Sequence, residues 1–357
     1  MDGATFRPLA NDPTPVTPSN GFETSTAELD ANGHADLGLP IAIRLSGDVA
    51  ATGNNQVLFD DVRLDFVASP GDVDVYLQAQ AFDKVLPGGG SVPMWGFASC
   101  TPGFVSCELP ADSDAPGPQI NAFQGFELRV HVQNTLNLPV SLIIPGQTEV
   151  GGGTPQMMGN RVRSFTTETA EGTGGAPGAE TIYTFSNLKA GTFLYQSGTL
   201  PSIQVPMGLY GALVVADTTP GTAYGHAYNA EAVLLLSEID PVQNSRVSNA
   251  SATMPGVDCV PLAEYEQNMT AGYPCTVDYD PMYFLINGEP TVDLPAGDPA
   301  DMALLRFLNA GLRSHTPSIV GVEMGLIAED GNAYPGQPRI QSAVLLAAGK
   351  TLDAIID

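Results

Sequence analysis

Residues 204–216 read Gln204-Val205-Pro206-Met207-Gly208-Leu209-Tyr210-Gly211-Ala212-Leu213-Val214-Val215-Ala216. The run 209–216 is apolar, far too short to cross a bilayer, and bounded by polar or turn residues, which is the pattern of a buried strand. Two further stretches stand upstream. One is Asn134-Thr135-Leu136-Asn137-Leu138-Pro139-Val140-Ser141-Leu142-Ile143-Ile144-Pro145-Gly146-Gln147. The other is Ala190-Gly191-Thr192-Phe193-Leu194-Tyr195-Gln196-Ser197-Gly198. The chain around them is strand-like. Residues 63–67, 72–77, 126–132 and 181–185 alternate apolar and polar side chains with period two. Glycine and proline punctuate these runs at short intervals, as in a β-sandwich or barrel. Amphipathic helices are scarce, and the best candidate is a short stretch at 301–309, although 304–309 also reads as a strand in a second set that begins at 231–236 and continues through 283–288.

Length and charge bound the function. The 357 residues suffice for two ordinary domains, and 13 Lys+Arg against 39 Asp+Glu give a formal charge of -26. That balance excludes a nucleic-acid partner, because phosphate binding needs clustered Lys and Arg, and it argues against an anionic membrane surface. It fits a strongly hydrated surface, with cation binding by acidic loops as the competing reading. Asp30-Ala31-Asn32-Gly33-His34-Ala35-Asp36 starts like a calcium loop but lacks the terminal bidentate Glu, so a polar turn is the simpler reading. No apolar run reaches membrane-spanning length. Met1-Asp2-Gly3-Ala4 shows no signal peptide, so the chain is expected to be cytoplasmic or to start after a cleaved leader.

The four cysteines form two locally spaced pairs, Cys100 with Cys107 and Cys259 with Cys275. An even count with local pairing fits two disulfide-closed loops and an exported protein, although four cysteines allow three connectivities. Free thiols and a zinc site compete with this reading, the latter weakly, since neither a Cys-x-x-Cys nor an accompanying His is present. Residues 1–45 read as an irregular arm, 46–217 as a first domain with a Gly-rich surface loop at 150–180, 218–228 as a linker, and 229–357 as a second domain. Trp95 sits in an apolar strand and is expected in the core.

The quoted stretches resemble the multicopper oxidases closely. In that family the first reads roughly N-x-L-x-x-P-T-S-I-H-W-H-G, and the second A-G-T-Y-W-Y-H-S-H followed by M-G-L-Y-G-A-L-I-V. Further blocks resemble the family in the correct order: residues 76–82 with 93–97, 161–168, 283–288, 305–311 and 348–353. The resemblance spans about residue 55 to the end. It implies an all-β fold of two cupredoxin-like Greek-key β-sandwich domains behind the N-terminal arm.

The resemblance also places the family's four copper-binding histidines on Ile143, Pro145, Gln196 and Gly198. A His-x-His spacing puts two imidazoles on one face of a strand, because side chains alternate. Ile143 and Gly198 offer no side-chain donor, Pro145 offers none and also lacks an N–H, and the amide of Gln196 is a poor copper ligand. The family's third domain, with the remaining ligands, would begin where this sequence ends at Asp357. Apolar packing from Leu142, Ile143 or Leu194 is expected to fill the vacated face. His34, His131, His226 and His315 each lack a convincing set of fellow ligands. No nucleophile elbow, phosphate loop or haem motif is present.

No catalytic residue, metal ligand or cofactor is therefore expected. The favoured reading is an exported, copper-free scaffold, periplasmic or extracellular, acting through a protein partner or self-assembly, with Ile143, Pro145, Leu194 and Gln196 as the candidate interface. The alternative is a fragment or subunit of a copper-dependent oxidoreductase whose third domain lies elsewhere, in which case copper would be its cofactor. The enzyme question stays open between these two.

Overall fold

The computed structural model of the chain describes residues 71–86, 89–109, 115–174, 176–249, 275–292 and 302–356. The expected arm at 1–45, the turn at 30–36, His34, the strand candidate at 63–67 and Cys259 lie outside these. The described residues belong to one compact unit, residues 70–357.

The fold is all-β, and its strands form two sheet systems. In the first, β1 (Val73–Val85), β2 (Ser91–Cys100), β3 (Cys107–Glu108), β4 (Ile120–Phe123) and β5 (Leu128–Asn134) are followed by the hairpin β6 (Gln156–Met158) and β7 (Arg161–Ser164). Then come β8 (Thr181–Phe185), β9 (Gly191–Gln196), the short helix α1 (Pro201–Gln204) and β10 (Tyr210–Ala216). The sheet β3-β2-β1-β5-β8 faces the sheet β4-β10-β9, and both feed one core. The reason is visible in β5, where residues of Leu-Arg-Val-His-Val-Gln-Asn alternate between buried and half-buried. Leu128, Val130 and Val132 meet Phe193, Tyr195 and Leu213 from the opposite sheet, the arrangement of a sandwich. Trp95 joins this core as expected.

The second system follows a small hairpin, β11 (Thr222–Ala223) and β12 (His226–Ala227). It comprises β13 (Ala230–Ile239), helix α2 (Pro241–Asn249), β14 (Tyr283–Ile286), β15 (Ala303–Asn309), β16 (Met324–Glu329), β17 (Asn332–Ala333), β18 (Arg339–Gln341) and β19 (Thr351–Ile356). These strands make one sheet in the order β14-β13-β15-β19-β16-β17, with β18 also on β16.

Three local expectations change. Residues 301–309 do not make a helix: Ala303–Asn309 is strand β15, and all seven of its residues are buried between β13 and β19. A strand covered on both faces loses the period-two signal, which leaves its type ambiguous in sequence. Helix α2 was not foreseen, yet its start obeys a simple rule: Asp240 Oδ1 accepts the N–H groups of Val242 and Gln243 while Pro241 occupies the first turn. The stretch 150–180 is more than a surface loop. It contains β6–β7, and its Ser164, Thr166 and Thr169 are buried.

The disulfide Cys100–Cys107 closes the β2–β3 turn. Cys275 is disulfide-bonded, with its partner outside the described residues.

A buried polar junction joins the two sheet systems. Arg306 on β15 donates to Thr192 Oγ1 on β9 at 2.9 Å and to Glu231 at 2.9 Å. Thr192 donates to Asp353 on β19 at 2.5 Å, and the Tyr224 hydroxyl, from the β11–β12 turn, donates to the other Asp353 oxygen at 2.6 Å. Burial pushes the Asp353 carboxyl above its ordinary range against the pull of Arg306. Nearby, Phe193 fills the space a Cβ would need at both Gly146 and Gly331, and both glycines have positive φ. The residues 218–228, expected to act as a linker, thus carry a side chain into this junction.

Candidate functional site

The stretches 134–147 and 190–198 meet backbone to backbone. Ile143 N–H donates to Gln196 carbonyl at 2.9 Å, and Gln196 N–H donates back to Ile143 at 3.0 Å. The pairing sets Ile143, Gln196 and Gly198 on neighbouring positions, with Ile143 and Gln196 half-buried, Pro145 exposed and Gly198 buried. A Cβ built on Gly198 would lie 2.8 Å from Ile143 Cγ2 and 3.0 Å from Ser141 Oγ. The branched Ile143 side chain occupies the volume that a side chain at residue 198 would need.

Beneath this face lies a set of hydroxyls. Ser141 and Ser164 hydroxyls are 3.0 Å apart, and Thr199 Oγ1 donates to Ser141 Oγ at 3.0 Å. Thr199 also reaches Glu168 at 3.2 Å, and Glu168 is gripped by the Arg163 guanidinium through Nε at 3.0 Å and through Nη2. Ser197 donates to Gln204 Oε1 at 2.5 Å, and the Gln204 amide donates to Pro139 carbonyl at 2.9 Å. The fully buried Gln204 therefore ties the first motif to the second. A register shift between Gln156 and Met157 against β7 turns Arg163 and Ser164 inward and leaves Val162 and Phe165 exposed. Thr166 donates to both oxygens of Glu149, and burial pushes that carboxyl above its ordinary range.

Beside the face is an open cleft of about 460 Å³ lined by Pro139, Gln156, Arg163, Thr167, Glu168, Ala170 and Glu171. Among its lining residues, Arg163 and Glu168 form an ion pair.

The sequence-predicted interface is only partly exposed. Ile143, Pro145 and Gln196 border the surface, but Leu194 is 3% exposed and packs with Leu235, Leu308 and Ala310 of the second sheet system. Leu194 thus serves the internal packing of the chain. Of the three apolar residues expected to fill the vacated face, Ile143 stands beside Gly198, whereas Leu142 packs in the sandwich core and Leu194 against the second sheet system; the hydroxyl set was not anticipated. The run Ser164-Phe165-Thr166-Thr167-Glu168-Thr169 gave no signal of it, since Ser and Thr are mostly exposed residues and a hydroxyl-rich run reads as surface.

The remaining histidines have specific partners. His131 lies between Asp74 and Glu180, His315 is 2.7 Å from Glu238, and His226 is on β12. Among the described residues no group of three or more His, Cys, Asp or Glu is arranged to hold a metal ion. No helix among them is long and apolar enough to cross a membrane.

Comparison with known proteins places this architecture. Residues 109–220 match the family model described as multicopper oxidase. No curated protein matches the chain. Among solved structures, a multicopper oxidase from Pseudomonas thermotolerans is similar at 23% identity and a TM-score of 0.52, over 81% of this chain and 58% of that one. A blue copper oxidase from Nitrosomonas europaea is similar at 20% identity and a TM-score of 0.56, over 80% of this chain and 75% of that one. A copper nitrite reductase from the same organism has 16% identity and a TM-score of 0.52, over 80% and 84%. This chain thus spans little more than half the length of the Pseudomonas oxidase. The chain has the β-sandwich fold of the multicopper oxidases, and residues 109–220 match that family's model.

Proposed function

We propose that this chain is a copper-free scaffold of multicopper-oxidase type that works by binding or assembly, in an exported setting, and is not itself a catalyst. One observation carries the reading: at the face where the resemblance places the copper ligands, Ile143 fills the space over Gly198 and a hydroxyl set fills the space below. Neutral imidazoles converging on one point are what such a metal needs, and these residues do not fit it. The partly exposed edge of that face, Pro145 with Ile143 and Gln196, is the proposed contact for a protein partner or a second copy. Exposed Val162 and Phe165 on the adjoining hairpin extend it with apolar surface. The disulfide Cys100–Cys107 supports an oxidising compartment.

A second reading is supported by the 58% span of the Pseudomonas oxidase: a piece of a larger copper oxidoreductase whose other domain completes it. Copper content and assembly state separate the two. The first expects copper near zero after dialysis, no oxygen-coupled phenol oxidation, and sedimentation as an oligomer or in complex with a partner. Copper retained at several ions per chain, or oxidase activity of the chain alone, overturns it. The packing itself is tested by a cycle. Gly198→Ala should destabilise by about 1–3 kcal/mol through overpacking, and Ile143→Ala in that background should remove most of the added cost. Independent, additive effects would show that Ile143 does not fill the site.

A further inference from the structure

His131 is on β5, in the sheet that carries the first sandwich, and its ring is held from three sides. The Tyr76 ring of β1 stacks on it, with centroids 4.2 Å apart and planes 15° from parallel. Phe104 packs edge-on against Tyr76. Nδ1 lies 2.5 Å from Glu180 Oε1 and Nε2 lies 3.1 Å from Asp74 Oδ1. A carboxylate can only accept a hydrogen bond, so an imidazole facing one at each nitrogen satisfies both only when both nitrogens carry protons.

The charged groups around the ring divide unequally. Asp74 on β1 is gripped by Arg129 through two bonds of 2.7 Å, and Arg129 is also paired with Glu127 at 2.7 Å. Asp74 keeps its Arg129 bonds whatever the ring does. Glu180 has His131 as its hydrogen-bonding partner among the described residues. It stands immediately before β8, the strand that returns from residues 150–180 and pairs with β5. Those same residues supply Ser164, Thr166 and Glu168 beneath the vacated ligand face.

We infer that His131 is a pH-operated latch: its doubly protonated ring ties Glu180, and with it the start of β8, to β1 and β5, and loss of one proton releases that tie. Imidazole is the side chain that changes charge across the neutral range. When one proton leaves, one carboxylate faces a bare ring nitrogen. Glu180 is the partner that yields, because among the described residues it is the one without a second anchor. The consequence is local: looser pairing at Thr181–Phe185 and a freer end to the segment that floors the ligand face.

Hydrogen exchange read by mass spectrometry tests this, with rates corrected for intrinsic pH dependence. Wild-type protection at 181–185 should fall about three- to tenfold between about pH 5.5 and about pH 8.5, the scale of one hydrogen bond. Glu180→Ala should show the lower protection at both pH values. Nitrogen-15 spectra of the histidine rings should show both His131 nitrogens protonated at the lower pH. The inference is overturned if wild-type protection is unchanged, if Glu180→Ala shows the same fall, or if the ring carries one proton at the lower pH.

Discussion

Strand β5 ends at Asn134 and β15 ends at Asn309, and each strand runs parallel to its neighbour, β1 or β13, in the same relative register. Asn134 donates to the carbonyls of Leu138 at 2.8 Å and Ala170 at 3.2 Å, and accepts from Leu136 N–H at 2.9 Å. Asn309 donates to Arg313 at 2.8 Å and Leu346 at 3.2 Å, and accepts from Gly311 N–H at 2.9 Å. In both, the amide side chain satisfies backbone groups that have left the sheet ladder and would otherwise be buried unpaired. The filling differs. Six residues on, Val140 is in the apolar core and pairs with Thr169, whereas His315 pairs with Leu346 and reaches buried Glu238. Glu238 also accepts from Leu312 N–H, Arg313 N–H and the Tyr279 hydroxyl. Gly311 is required beside it, since a Cβ there would lie 2.3 Å from the carboxylate. The position of Glu238 is held in the first corner by Ala81. One backbone corner therefore accepts either an apolar or an ionic interior, provided its Asn and its local backbone bonds are kept.

The sharpest way to break that comparison is Glu238→Ala. It removes the acceptor of two half-buried N–H groups, a buried hydroxyl and an imidazole, and should cost about 3–5 kcal/mol. Val140→Ala, at the apolar corner, should cost about 1–3 kcal/mol through lost burial and a cavity. Urea unfolding midpoints compare them directly, and an equal cost would mean that the Glu238 network adds nothing over packing. Next come Asn134→Ala and Asn309→Ala. Each removes three bonds of matching geometry, so each should cost about 2–3 kcal/mol, with the pair equal within about 1 kcal/mol. A large inequality would break the equivalence of the corners.

The smallest effects are in pH and have opposite signs in the two sheet systems. On β1, hydrogen bonds from Arg129, then His131, hold the Asp74 carboxyl down to about 2, against the effect of burial. Its contribution is present above the ordinary unfolded value of about 3.9 and is lost as pH falls toward 2. In the second system burial raises Asp353, so the folded state binds that proton more tightly than the unfolded chain. Its contribution therefore grows as pH falls through the window above the unfolded value and is lost as pH rises through the raised one. Stability measured against pH should lose part of its acid fall in Asp74→Asn. In Asp353→Asn the opposing limb should disappear. Parallel curves for both variants would contradict the assignment.

Much of this architecture was legible in local pattern. The alternation at 181–185 and the apolar run at 209–216 are strands β8 and β10 because burial of one sheet face, or of both, writes itself directly into residue order. The identities at 143, 145, 196 and 198 are likewise fixed by the sequence, and with them the absence of imidazole at those four positions. β15 was ambiguous because a strand buried on both faces has no polar side to set its period.

Only the tertiary structure decided what stands around those positions. That Leu194 packs inward against Leu235 and Leu308, that Ser141, Ser164 and Thr199 converge, and that Thr192, Arg306 and Asp353 lock two sheet systems together are contacts between residues far apart in the chain. Periodicity reports which face of a strand is buried. It does not report what lies opposite, because that depends on how separate sheets are brought together, and the partners of a buried polar group are chosen at that step.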